Sequence, residues 1–282
     1  MPVKFEAKLP RNIPASAVVY DLPPVRIGAA TLRRTAKSLG LADADADVVT
    51  STDLMAYNQG RHRLEMHRAS GAVAFYHRDK YGREPEKPFE ITDRRAAAIG
   101  RAFLQKSKIV PLAAMRLDGV THLHSAVADV KTRRVREHIT DAGVVYRRTI
   151  DELLVEGPGG FAMVTLDPEG EVIALRSVWR PLGQRVGRVK LKRPEEAIGA
   201  LEKHVADLQG NVTVTKASLG YFELGPLDRQ RVIEPVYAFV YVVRHDEVAM
   251  KSAFVAHAGD KSFGRLIGKR RFPAPVARRK KP

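Results

Sequence analysis

The chain of 282 residues has no cysteine. Disulfides, thiolate metal centres and cysteine nucleophiles are therefore excluded. No run of 18 apolar residues occurs, so no membrane span is predicted. Lys4, Lys8 and Arg11 precede no continuous apolar stretch, which argues against a secretory leader. As written, the chain is expected in the cytoplasm, or in the envelope or outside the cell if a leader has been removed. Catalytic signatures are missing as well. There is no G-x-S-x-G elbow, no Walker lysine, and no RNP, KH or helix-turn-helix pattern. Tryptophan occurs once, at Trp179, where it is expected to plug a core. Acid is absent from the last stretch, residues 261–282.

What is abundant is positive charge. The formal net charge is +16, and nine of those charges lie in that acid-free stretch, leaving +7 for the other 260 residues. Seven of the nine are Lys269, Arg270, Arg271, Arg278, Arg279, Lys280 and Lys281. A polyanionic partner is consistent with this: nucleic acid, anionic lipid or a cell-wall polymer. A merely solubilising tail would look the same.

Along the chain one grammar is used twice: an amphipathic helix, then long alternating segments. Thr92 and Asp93 open the first helix, whose stripe is Ile99, Ala102 and Phe103, and strands follow to about Trp179. Pro194, Glu195 and Glu196 open the second, with the stripe Ile198, Leu201, Val205 and Leu208, and strands follow to about Ala258. Before them, Ala17–Leu22 reads as an edge strand and Thr31–Leu39 as a helix ended by Gly40. A hairpin is expected around Ser70-Gly71. The predicted class is α+β, with two antiparallel sheets each packed on a helix. The divisions are an N-terminal arm and helix (1–47), a first helix-plus-sheet unit (48–182), a second (183–258) and a basic flexible tail (259–282).

The run Val145–Leu182, with its Gly157-Pro158-Gly159 turn and terminal Trp179, is followed by Arg193–Leu201 and then by Glu234–Val243. This order resembles the tandem PepSY-like (cystatin-like) bacterial proteins of the YycH and YycI type. Glu152 and Leu154 stand where that pattern usually has Gly and Pro. The resemblance implies curved sheets that each wrap a helix, a binding or regulatory role without catalysis, and no cofactor.

Three functional readings follow. The leading one is a non-catalytic binding or scaffold protein. It would act on a protein partner or anionic polymer through a sheet surface such as that of Tyr237, Phe239 and Tyr241. The second is nucleic-acid binding by Arg61, Arg63, Arg78 and Lys80, beside Phe75, Tyr76 and Tyr81, together with the tail. The third is a His-dependent metallohydrolase. His122 and His124, two apart on a strand, would point the same way and could share a metal. Asp151, Glu152 and Glu156 form an acidic cluster that reads as a solvated loop edge. Gly157–Gly160 reads as a turn rather than a phosphate cradle, because a strand follows it.

Overall fold

The computed structural model describes residues 3–41, 46–83, 87–128, 132, 135–245, 248–264 and 266. In chain order the elements are β1 (Lys4–Phe5), β2 (Ser16–Asp21), α1 (Ala29–Ser38), β3 (Asp47–Thr50), β4 (Leu54–Gln59), β5 (His62–His67), β6 (Val73–His77) and α2 (Asp93–Ser107). After a short 3-10 turn come β7 (Met115–Ala128), β8 (Val135–Ile150), β9 (Leu153–Glu156), β10 (Phe161–Leu166), β11 (Val172–Val178) and β12 (Arg185–Lys190). The chain then forms α3 (Pro194–Val205), β13 (Asn211–Phe222), β14 (Val232–Ile233), β15 (Pro235–His245) and β16 (Val248–His257).

The expected pair of sheets, each on its own helix, is not what forms. Among the described residues the protein is mostly β, with 47% strand and 16% helix. Thirteen strands among the described residues make one mixed sheet in the order β16-β15-β13-β9-β8-β10-β11-β6-β5-β4-β3, with β1 beside β13 and β7 beside β8. β12, β2 and β14 make a small second sheet. The physical reason is four residues long. A two-residue turn, with Asp151 and Glu152 both at positive φ (47° and 66°), folds β9 back along the end of β8. The other edge of β9 is taken by β13 in parallel, Val155 opposite Tyr221 and Phe222 opposite Glu156. That joint makes the two halves continuous.

Ala17–Leu22 is also placed differently from expectation. β2 is the central strand of the small sheet, between β12 and β14. Val18, Tyr20 and Leu22 pack there on Ile150, Val155 and Tyr221.

Helix chemistry follows the sequence more closely. Thr92 Oγ1 accepts from the Arg95 N–H at 3.4 Å, and Lys108 ends α2 in a left-handed turn. The buried stripe of α2 is Ala96, Gly100, Leu104 and Ser107, rotated from the expected one, while Ala102 is exposed. Gly100 sets this rotation, since a Cβ there would lie 3.2 Å from Val144 Cβ. In α3 the Glu196 carboxylate accepts from the Arg193 N–H at 3.2 Å, and Leu201 and Val205 are buried as expected.

Strand alternation then sorts the large sheet into two faces. Val144, Tyr146, Phe75, Leu175 and Leu64 share one core with residues of α1 and α2. Tyr221 and Val155 meet the small sheet. Val214, Tyr237, Phe239 and Tyr241 meet α3. The registers put all of these on a single side. The helices and the small sheet therefore cover one face. Among the described residues, no helix covers the opposite face.

Candidate functional site

The uncovered face is built from the alternate residues of the same strands. One row of cross-strand partners runs Glu65, Ala74, Arg176, Met163, Val145. The next runs Arg63, Tyr76, Ala174, Thr165, Gly143, Thr121. A third joins Val178, Phe161, Arg147 and Arg116. The Arg147 guanidinium lies 5.9 Å from the Phe161 ring centre, donates to the Gly157 carbonyl at 3.0 Å and pairs with half-exposed Asp118 at 3.5 Å. Tyr76 and Tyr81 have ring centres 6.1 Å apart. Arg176 is exposed and has no ionic partner among the described residues. A groove of about 290 Å³ runs beside these rows, with Tyr81, Thr121, Gly143, Met163 and Thr165 in its lining. Aromatic rings, a thioether and guanidinium groups thus share one open surface.

The cations expected on the β5–β6 hairpin are largely committed to local partners. Arg61 pairs with Asp79 at 3.1 Å, and Arg63 with Glu65 at 2.7 Å. Arg78 donates to Asn58. Lys80 bridges Asp167 at 2.7 Å and Glu171 at 2.5 Å, and these hydrogen bonds raise its pKa well above the ordinary lysine value. Lys269, Arg270, Arg271, Arg278, Arg279, Lys280 and Lys281 lie outside the described residues.

Tyr237, Phe239 and Tyr241 do not form a surface. They are 1–2% exposed and make the core under α3. The Tyr237 hydroxyl donates to the Lys192 carbonyl at 2.7 Å. Alternation placed these three on one face correctly, and α3 covers that face. His122 lies 3.3 Å from the Asp93 carboxylate and meets Phe89 edge-on. The bulge beside His122 and His124 puts its extra residue, Thr140, in β8 rather than between the two histidines. Among the described residues, no three His, Asp or Glu side chains converge as metal ligands.

The acidic cluster has separate structural duties. The Asp151 carboxylate accepts from the Tyr20 hydroxyl at 2.8 Å and from the Tyr221 hydroxyl at 3.2 Å, which ties the small sheet to the β8–β9 turn. Glu156 accepts from Ser218 at 2.7 Å and from Lys216 at 3.3 Å.

What residue patterns missed is a buried ionic triad. Glu223 receives Arg148 at 3.2 Å on one oxygen, and Arg180 at 3.2 Å plus the Arg180 N–H at 2.9 Å on the other. Arg180 also donates to the carbonyls of Leu224, Gly225 and Asp228, and Arg148 donates to the carbonyl of Arg180. Arg148 further stacks over Trp179 at 5.5 Å. Burial pushes the Glu223 carboxyl up against the opposing pull of the guanidinium groups, and pushes both arginines down. One signal was available: Arg148 continues the series Ala142, Val144, Tyr146, all of which face the core.

A second carboxylate clamps the end of the described chain. Glu234 accepts from the N–H groups of Phe263 and Gly264, each at 3.0 Å, and lies 3.4 Å from His257 Nδ1. Leu266 then packs on Phe222 and Val236, residues of the uncovered face. Burial alone would raise the Glu234 pKa. The nearby His257 and the two N–H donors outweigh it and hold the carboxyl below its ordinary 4.5. Its stabilisation is therefore present above about pH 4.5 and is lost as pH falls through the depressed folded value. In melting curves from about pH 6 to about pH 3, Glu234→Gln is expected to flatten the acid limb. An unchanged limb would place the acid sensitivity elsewhere.

Comparison with known proteins supplies a fold and nothing more. No family model matches the chain, and no curated protein matches it. Among solved structures it is similar to an uncharacterized protein from Eubacterium rectale ATCC 33656, with a TM-score of 0.57 and 11% identity. The match covers 94% of this chain and 91% of that one. At that identity the likeness concerns the fold alone. The fold and its surface define a mixed-sheet protein covered on one face. No helix among the described residues is long and apolar enough to cross a membrane.

Proposed function

We propose that the protein is a non-catalytic binding protein whose uncovered sheet face holds an extended anionic partner. Single-stranded nucleic acid is the class best matched to it. One observation carries this reading: Phe161, Tyr76, Tyr81 and Met163 share the face with Arg147 and with Arg176, which has no ionic partner among the described residues. Bases can stack on rings whatever their identity, while guanidinium groups follow the phosphates. Leu266 packs on the same side of the sheet, and the basic residues that follow it in the sequence would add charge attraction to such a partner.

Fluorescence anisotropy with a labelled single-stranded oligonucleotide, at low and physiological salt, tests this. The combined variant Arg147→Ala with Arg176→Ala is expected to bind about tenfold more weakly and with a shallower salt dependence. A chain ending at residue 266 keeps the Glu234 clamp and isolates the contribution of the basic segment. Equal affinity of the double variant and the wild type would remove the sheet face from the reading. Binding lost entirely on truncation would reduce the function to attachment by charge, and a protein partner would then be the next to seek.

A further inference from the structure

The geometry points to a second, smaller site that takes a compact polyvalent anion of the phosphate class. It is a cleft of about 270 Å³ between residues 22–25, 68–69 and 229–231. None of its residues belongs to the rows of the uncovered face, and the site stands independently of nucleic-acid binding there.

Charge is the first argument. Arg68, Arg229 and Arg231 line the cleft, and among the described residues no Asp or Glu does. Arg229 and Arg231 are exposed and have no ionic or hydrogen-bonding side-chain partner among the described residues. Arg68 is aimed by the carbonyls of Ser51 and Ile27, each at 3.2 Å, so its charge is oriented but not neutralised.

The second argument lies behind the cleft. Arg180 also lines it, is 2% exposed, and its Nε finds no hydrogen-bond partner among the described residues. The triad to which it belongs holds two guanidinium groups against the single Glu223 carboxylate, a buried excess of one positive charge. Asp228 acts on Arg180 electrostatically, but its carboxylate is not among the lining groups. An anion in the cleft would offset a field that Glu223 and Asp228 compensate only in part.

The third argument is rigidity. Pro23 and Pro24 form one wall. The Gln230 side chain spends its amide on the Leu224 N–H and on the carbonyls of Phe222 and Val232, which fixes the backbone between Arg229 and Arg231. Buried Ser70 donates to the Pro226 carbonyl at 2.7 Å and ties the β5–β6 turn to the same loop. Planar guanidinium forks held in place suit bidentate contact with phosphate oxygens. The volume matches a phosphate or diphosphate group rather than a whole dinucleotide.

Inorganic pyrophosphate is the probe, titrated into the full chain by calorimetry and by thermal shift against sodium chloride of equal ionic strength. A saturable heat and a rise in melting temperature beyond the chloride control are expected. The combined variant Arg229→Ala with Arg231→Ala should weaken this response at least about tenfold. Arg147→Ala with Arg176→Ala, on the uncovered face, should leave it unchanged. Arg229 and Arg231 are both exposed, and circular dichroism checks that the variant folds. Arg231→Lys keeps the charge and loses the fork, and should bind with intermediate affinity. A response no larger than chloride, or one equal in the cleft variant, overturns the site. So does a response lost only in the uncovered-face variant.

Discussion

Alanine at Glu223 is expected to lower the free energy of unfolding by about 3–5 kcal/mol, against a total of about 5–15 kcal/mol for a typical domain. Glu223 is fully buried and, among the described residues, is the only carboxylate paired with the two buried guanidinium groups of Arg148 and Arg180. Its removal leaves those two charges facing each other without a counter-ion in a low-dielectric interior. It also takes the acceptor from the Arg180 N–H. Glu223→Gln keeps the shape and part of the hydrogen bonding but not the charge, and should fall between alanine and the wild type. Urea unfolding of the three proteins measures this. A loss below about 1 kcal/mol for alanine would mean that water or rearrangement solvates the arginines and that the triad is not a closed site. The triad's position makes the effect long-ranged. Arg148 belongs to β8, Arg180 follows β11, and Glu223 follows β13, so one carboxylate holds both halves of the large sheet and the loop that carries Arg229 and Arg231.

Much of this architecture was legible in the residues, and the failures have physical causes. Helix caps, first-turn acids and the alternation of the long strands act locally, and they placed α2, α3 and the β5–β6 hairpin. The joint between the halves was not legible. β9 is only four residues long, and its parallel partner in β13 lies far along the chain. So short a contact imposes no periodicity on the sequence, and two repeats of helix and strands read as two sheets. Charge was legible as a total but not as a distribution. Arg61 and Lys80 look like free cations in the sequence, yet Asp79, Asp167 and Glu171 return to them through turns. Arg176 and Arg147 come to one surface only through the order β6-β11-β10-β8. Arg180, beside Pro181 and Gly183, carries no hydrophobic signal, and it is among the most buried of the described side chains.

That joint can be attacked with a single methyl group. Gly159 lies in the turn between β9 and β10, and its N–H donates to the Glu223 carbonyl at 2.9 Å. A Cβ there would stand 2.5 Å from the Leu224 carbonyl oxygen and 2.7 Å from Glu223 Cγ. Both neighbours are fixed, the first by its bond from Arg180 and the second by the triad. Gly159→Ala should therefore cost about 2–3 kcal/mol, at the upper end for an inserted methyl group. Gly199 provides the opposite sign. It sits inside α3, and a methyl group added there would meet nothing within 4 Å, so alanine should add about 0.5–1 kcal/mol through helix propensity alone. The coupling is the sharper measurement. If Gly159→Ala acts by displacing Glu223, its penalty should shrink once Glu223 is already alanine, whereas the gain from Gly199→Ala should be the same in both backgrounds. Equal penalties in both backgrounds would mean that the glycine turn and the triad are independent, and that β9 alone holds the halves together.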